Sequence, residues 1–544
     1  MPLFERVLIA NRGEIAHRII GTCERLGIAT VAVSTPDERN SFHTRSADAL
    51  ASIDSYLAAD EIVAAARATG ATAIHPGYGF LAEQASFASA VEEAGLVFVG
   101  PPPAALHLAG DKLAARDLAA RSGIPLLASG EPEEIGYPLL VKASAGGGGR
   151  GMRLVRDTDE LVTAVEAAKR EATAAFGDDR IYFERYLEGA RHVEVQLLAD
   201  SHGAILTIGE RDCSIQRRHQ KLIEESPSPS ISAEQRDRLA ILSTTLARAI
   251  GYQNAGTAEF LVADNGDIAF IELNARLQVE HPITEAVWKI DLVEWQLRIA
   301  AGDHLDAQLQ PHGHAVEARI YAEHPITFLP ETGTVRSLTL PQGVRVDVGV
   351  AEGDEISTRY DPLIAKVIAH AEDRDTALAK LATALSMTQV RGVVTNLPLL
   401  QWLVDHDVVR AGEAATDFFQ LHPPLERQHA TEGPWAGYFR LGHDPAMPTP
   451  SRQAPPTVDQ LGPVVSQSRG DSTATLVVAP MPGTVLEVLV TPGQDVAERE
   501  SLVVLEAMKM ETPVTAPFAG QVTSVGVAAG EQVAAGTILI ELDI

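Results

Sequence analysis

The sequence predicts a multidomain chain of α/β and α+β architecture that ends in a small all-β, flattened-barrel module. Three observations carry this: apolar runs alternate with Ala-rich helical segments over roughly the first hundred residues, a Pro/Ser/Gln/Thr-rich stretch interrupts the chain at 446–475, and the residues after it repeat internally. At roughly 100 to 200 residues per domain, 544 residues allow three to five domains. Forty-four basic against 73 acidic residues give a net charge of −29, which disfavours nucleic acid and anionic membrane as partners. The two cysteines, Cys23 and Cys213, lie far apart and outside any Cys-x-x-Cys pattern, so neither a disulfide framework nor a thiolate zinc site is expected. A reducing, cytoplasmic setting is the expectation, since no secretory signal precedes Arg12 and no 18-residue uncharged apolar stretch follows.

In chain order, Val7 to Ala10 reads as a buried strand, Ile15, Ile19 and Leu26 share one face of a helix, and Ala29 to Val33 is a second strand. This βαβ opening carries Asn11-Arg12-Gly13-Glu14 where a dinucleotide fold has Gly-x-Gly-x-x-Gly. Pro101-Pro102-Pro103 marks a first boundary. Next, the apolar strand Leu139–Val141 runs into Lys142 and the loop Ala145 to Gly151, which includes Gly148 and Gly149. Consecutive glycines let backbone N–H groups approach phosphate oxygens, and a lysine before them offsets phosphate charge. The loop ends without Gly-Lys-Ser/Thr and is no Walker A site; its plain alternative is a floppy glycine loop. Farther on, Glu259 lies in one strand and Glu272 and Asn274 share a face of another, with Asp264-Asn265-Gly266-Asp267 as the hairpin between. Paired hard oxygen ligands of this kind suit Mg²⁺ on nucleotide phosphates. The alternative is a solvated sheet face.

The stretch 446–475 reads as a tether, with a root-mean-square span of roughly 30 Å and a full reach of about 100 Å. After it, residues 478–507 align without a gap on 515–544 at an offset of about 37, matching Pro480/Pro517, Gly483/Gly520, Val485/Val522, Gly493/Gly530 and Leu505/Leu542. Alternating valines predict short strands, and two such halves close their edges on each other. Lys509 lies at their junction, an expected exposed turn.

Glu506-Ala507-Met508-Lys509-Met510 resembles the biotin-acceptor motif of biotinyl domains, which implies biotin on Lys509, attached by a biotin protein ligase. The first 444 or so residues resemble biotin carboxylase of the ATP-grasp class. The matching segments are 9–16 (Ile-Ala-Asn-Arg-Gly-Glu-Ile-Ala), 75–81 (His-Pro-Gly-Tyr-Gly-Phe-Leu), 210–214, 216–221 and 274–282 (Asn-Ala-Arg-Leu-Gln-Val-Glu-His-Pro). The resemblance implies a Rossmann-like pre-ATP-grasp domain at 1–110, an ATP-grasp domain at 111–310, a biotin carboxylase C-terminal domain at 311–445, a linker at 446–475 and a biotinyl domain at 476–544.

It also implies roles. Lys112 and Lys142 would contact ATP phosphates under Gly148 and Gly149; Glu184, Arg185 and Leu187 would hold adenine; His192, Gln216 and His219 would line the nucleotide site. Glu259, Glu272 and Asn274 would bind Mg²⁺ or Mn²⁺. Lys221, Arg276 and the backbone at Gln278 and Val279 would cradle bicarbonate, with Glu280 as general base and Arg319 stabilising the charge that develops on biotin. Bicarbonate is a poor electrophile, so phosphorylation by ATP comes first, and the carboxyphosphate then yields CO₂ and phosphate. The bland readings are an i, i+4 ion pair between Arg276 and Glu280, and a surface charge for Arg319. His75 and His281 read as structural, and Cys213 as a packing residue.

The family's implied assignment is the α subunit of an acetyl- or propionyl-CoA carboxylase, oligomeric through its biotin carboxylase part. A separate carboxyltransferase β subunit is implied, since none is encoded in these residues. Service to a branched acyl-CoA, pyruvate or urea carboxylase, a catalytically silent biotinylated scaffold, and an ATP-grasp ligase of another acid are the alternatives.

Overall fold

The computed structural model describes residues 3–144, 152–176, 178–217, 220–306, 308–423, 466–468, 475–507 and 510–543. Gly148, Gly149, His219, Lys509, residues 424–445 and nearly all of the expected tether lie outside them. No described helix is long and apolar enough to cross a membrane.

Near the amino terminus, strands Ala49–Ser52, Ala29–Ser34, Arg6–Ile9, Ala73–His75 and Val97–Phe98 form, in that spatial order, a parallel sheet. Strand order reverses between Arg6–Ile9 and Ala73–His75, and a crevice opens at such a switch point beyond the carboxyl ends of the strands. Asn11 spans it, donating Nδ2 to the carbonyls of Pro76 and Tyr78 at 2.7 Å each. Helix Gly13–Arg25 starts there and buries Ile15, Ala16, Ile19 and Ile20.

Eight described strands form the central sheet, in the order Ile268–Asn274, Asn254–Val262, Arg191–Ala199, Ile205–Arg217, Gln220–Ser226, His314–Tyr321, Leu363–Ala371 and Arg345–Val348. Pairing of Gln220–Ser226 with His314–Tyr321 makes one sheet out of strands on both sides of residue 310. Side chains from Glu259 through Arg319 can therefore converge on one place. A second, small antiparallel sheet of Arg153–Val155, Leu139–Ala143 and Ile181–Arg185 packs on helix Thr158–Phe176 around its own core of Leu139, Val141, Val155 and Ala168. It carries Lys142 and Glu184.

The carboxyl-terminal repeat folds as two facing sheets. Gly483–Val488 and Gly520–Val525 are equivalent strands, and each takes the short strand of the other half: Gln532–Val533 pairs with the first and Asp495–Val496 with the second. This exchange covers edges that either half alone leaves open. Val485, Leu502, Leu505, Val522, Leu539 and Leu542 fill the space between. The strands flanking Lys509 pair Ala507 with Met510.

Candidate active site

Glu259 and Glu272 are direct partners on neighbouring antiparallel strands, which sets their side chains about 5 Å apart at Cβ on one face. Lys112, at the first position of helix Lys112–Arg121 whose cap is Asp111, reaches Glu272 Oε2 at 3.0 Å. Glu259 is nearly fully buried, and it accepts from Asn274 Nδ2 at 2.8 Å and from Gln278 Nε2 at 3.2 Å, with Lys221 Nζ at 3.1 Å and His192 Nε2 at 3.0 Å. Burial opposes charge on Glu259, but Lys221 and His192 overcome it and hold the carboxyl well below its usual range. Asn274 turns its Oδ1 to Arg276 Nη2 at 3.3 Å.

Lys221 is the hub of the next shell of contacts. Its Nζ lies 2.5 Å from Glu280 Oε1 and also meets Glu194, whose other oxygen takes Arg211 Nε at 2.5 Å. Burial alone would drive this ammonium toward its neutral form, but Glu194, Glu259 and Glu280 outweigh it and hold the amine charged. Glu280 takes Arg319 Nη2 on its second oxygen at 2.9 Å. Its burial is likewise overcome, by Lys221, Arg319 and Arg211, so the carboxyl is held well below its usual range. Arg319 is buried, with Glu224 at 2.5 Å from its Nε, so the surface-charge reading fails.

Arg276 does not pair with Glu280. It donates Nε to Glu83 at 2.9 Å and Nη1 to Gln278 Oε1 at 2.9 Å. Glu83 also accepts from the Ala275 amide at 3.1 Å. Among the described residues no ion pair joins Arg276 to Glu280, so the i, i+4 reading is overturned.

On the small sheet, Lys142 Nζ lies 2.8 Å from Glu184 Oε2, and Arg116 pairs with the other oxygen. The Glu184 carboxylate is thus committed to two cations, and its backbone sits between Leu140 and Ser129. Burial would lower the Lys142 amine, but Glu184, Tyr182 and, more distantly, Glu272 raise it. Arg185 spends its guanidinium on the carbonyls of Ile135 and Tyr137. Leu187 is half-buried beyond the strand, and Gln216 is the strand partner of Lys221.

Lys112, His192, Lys221, Glu259, Glu272, Asn274, Arg276, Gln278, Glu280 and Arg319 thus form one connected constellation, with Lys142 and Glu184 above it. Two hard carboxylates and an amide oxygen, now held by amines that a bound polyphosphate would draw off, fit a divalent cation. His75 and His281 are fully buried, and burial pushes both imidazoles down, His75 to about 3. Burial likewise pushes the Cys213 thiol well up, which suits packing and not nucleophilic attack. Three participants escaped the sequence reading: Glu83, two residues past the 75–81 segment; Glu194, whose signal was its period-two spacing from His192; and Arg211, which is completely buried.

Four known domain families match the chain: "Biotin carboxylase, N-terminal domain" over residues 3–106, "Carbamoyl-phosphate synthase L chain, ATP binding domain" over 128–308, "Biotin carboxylase C-terminal domain" over 317–420 and "Biotin-requiring enzyme" over 475–542. The biotin carboxylase of Halalkalibacterium halodurans is 45% identical over 443 residues, covering 77% of this chain and 98% of that protein. The mitochondrial methylcrotonoyl-CoA carboxylase subunit alpha of Dictyostelium discoideum is 45% identical over 442 residues, 77% of this chain but only 63% of that longer protein. Among solved structures, the biotin carboxylase domain dimer of Hydrogenobacter thermophilus 2-oxoglutarate carboxylase, in complex with MgADP, ADP and bicarbonate, superposes with a TM-score of 0.76 at 42% identity, covering 77% of this chain and 98% of that one.

Proposed function

The chain belongs to the biotin carboxylase family, and we propose that the residues above divide its reaction as follows. It is an ATP-dependent biotin carboxylase joined to a biotin-requiring domain of its own. Biotin, on Lys509, supplies the ureido nitrogen that receives the carboxyl group. The observation that carries the division of labour is the Glu280 carboxylate wedged between Lys221 Nζ and Arg319 Nη2.

Lys112 and Lys142 bind the ATP phosphates, and Glu259, Glu272 and Asn274 hold Mg²⁺, which neutralises phosphate charge there. Gly148, Gly149 and His219 join the nucleotide site with Glu184, Arg185, Leu187, His192 and Gln216. Bicarbonate lies on Lys221, Arg276 and the backbone at Gln278 and Val279. Its arrival draws the Lys221 ammonium from Glu280, which raises the proton affinity of that carboxylate and lets it take the bicarbonate proton. Phosphate released from carboxyphosphate takes the ureido proton, and Arg319, released on one side, stabilises the charge left on the ureido group.

The domain division 1–110, 111–310, 311–445 and 476–544 with its tether belongs to this reading, as do a homodimer through the carboxylase part, a cytoplasmic setting consistent with two buried free thiols, and a separate carboxyltransferase subunit acting on acetyl- or propionyl-CoA. A branched acyl-CoA is the second reading, favoured by the methylcrotonoyl-CoA carboxylase relatives. The test is ATP hydrolysis by the purified chain. It should require both bicarbonate and free biotin and be lost in Glu280→Gln; biotin-independent hydrolysis that survives the substitution overturns the assignment. Assays with the copurified partner and a set of acyl-CoAs decide between the two acceptors.

A further inference from the structure

Lys366 is completely shielded from solvent in strand Leu363–Ala371, directly opposite Arg319 on the neighbouring strand. An ammonium in such a place is costly unless it is paired and hydrogen-bonded. Its Nζ lies 2.9 Å from Glu14 Oε1 and 3.7 Å from Asp347 Oδ2, and it donates to the Val279 carbonyl at 2.9 Å. Burial would lower this amine, but Glu14, Asp347 and Glu317 outweigh it, so it stays charged.

The contacts come from three parts of the chain. Glu14 sits in the first turn of helix Gly13–Arg25 and accepts the Tyr78 hydroxyl on its other oxygen. Val279 lies in the connection between strand Ile268–Asn274 and helix His281–Trp288, and Lys366 belongs to the carboxyl-terminal strands. Backbone approach is close as well: a Cβ on Gly349 would meet the Glu14 amide nitrogen at 2.7 Å.

A trans peptide is rigid, so a carbonyl held on one side turns the N–H of the same plane to the other. The Gln278 carbonyl accepts from the His281 ring and amide, and the Val279 carbonyl accepts from Lys366. Among the described residues, the amides of Gln278, Val279 and Glu280 donate to no acceptor. Both carbonyls are thus tied back, and the run of N–H groups is left for an anion.

We propose that Lys366, held by Glu14, is the positioning residue of the bicarbonate site: it fixes the Val279–Glu280 peptide plane and so sets the Glu280 amide and side chain beside the Gln278 and Val279 amides that face the substrate. This rests on the assignment of that backbone to bicarbonate made above. Lys366 touches no reacting atom, so its removal acts on bicarbonate affinity and leaves ATP affinity alone.

The test is the bicarbonate-dependent ATPase of the full chain carrying Lys366→Met, Lys366→Arg or Glu14→Gln. Lys366→Met should raise the KM for bicarbonate at least tenfold with the KM for ATP within twofold of wild type. Glu14→Gln should raise it at least threefold, and Lys366→Arg, which keeps charge and donors, should recover part of the loss. A folded Lys366→Met or Glu14→Gln enzyme with unchanged bicarbonate KM overturns the proposal. So does a variant in which both KM values rise together or only kcat falls. Should Lys366→Met fail to fold, Glu14→Gln decides alone. A wild-type chain without bicarbonate-dependent ATPase refutes instead the reading on which the proposal rests.

Discussion

Arg276 Nε and Glu83 Oε2 meet at 2.9 Å across 193 residues of chain, while Glu280, four residues from Arg276, is held by Lys221 and Arg319. The carboxylate that holds the arginine comes from the turn between strand Ala73–His75 and helix Ala85–Glu93, and Glu280 comes from the loop that carries the arginine itself.

Glu83→Gln should therefore weaken bicarbonate use without touching the base. A hydrogen bond to a charged group contributes about 1.5–3 kcal/mol, and Glu83 is 35% exposed, so the low end applies. The expected loss is about tenfold in kcat/KM for bicarbonate, read from initial ATPase rates. An unchanged value would mean that Arg276 is oriented by Gln278 and Asn274 alone.

The Arg116–Glu184–Lys142 triad separates stability from catalysis. Glu184→Ala leaves two buried cations without a counter-charge and should cost about 3–5 kcal/mol, measured by denaturant unfolding. Lys142→Met leaves Glu184 paired with Arg116 and should unfold less readily than Glu184→Ala, yet its KM for ATP should rise more than tenfold. Equal stability losses in the two variants would refute the asymmetry.

Acid should destabilise the amino-terminal α/β part through two buried histidines that refuse protons. Burial lowers His75 to about 3 and His43 to about 4, against 6.5 for an exposed imidazole. The unfolded chain therefore binds protons below pH 6.5 that the folded chain refuses, and stability falls as pH falls from 6.5 toward 4. Each histidine contributes about 1.4 kcal/mol per pH unit once well below 6.5. Thermal melts between pH 7.5 and 4.5 should show a declining Tm, and His43→Gln should flatten the slope. A parallel curve for that variant would exclude His43.

Lys509→Arg should abolish biotin incorporation, read by peptide mass spectrometry after coexpression with a biotin ligase, while ATPase driven by free biotin persists. The carboxyl-terminal repeat fills most of its core with its own residues, Val485, Leu505, Val522 and Leu542 among them, so loss of biotin from it should leave the free-biotin reaction of the carboxylase part in place. Loss of both activities would point to a structural role for Lys509.

Much of the site was legible in the chain because its pieces are local. Glu259 and Glu272 are placed by a short hairpin, Gln278, Val279 and Glu280 by one loop, and the repeat by its period, all set by neighbouring residues and backbone geometry. Glu83 and Lys366 were not legible, since each matters through a partner remote in sequence: Glu83 reads as a solvated charge, and the apolar run around Lys366 signals burial without naming its partners.

The sequence by itself determined the order of elements, the carrier repeat with its lysine, and the inventory of lysines, arginines and carboxylates, since these follow from periodicity, composition and motif. Only the tertiary structure decided which cation holds which partner: Arg276 to Glu83, Lys221 and Arg319 to Glu280, Lys366 to Glu14 and the Val279 carbonyl. The physical reason is that burial makes every unpaired charge costly. Pairing is therefore settled by whichever side chains the packed sheets bring within reach, and no stretch of chain encodes that alone.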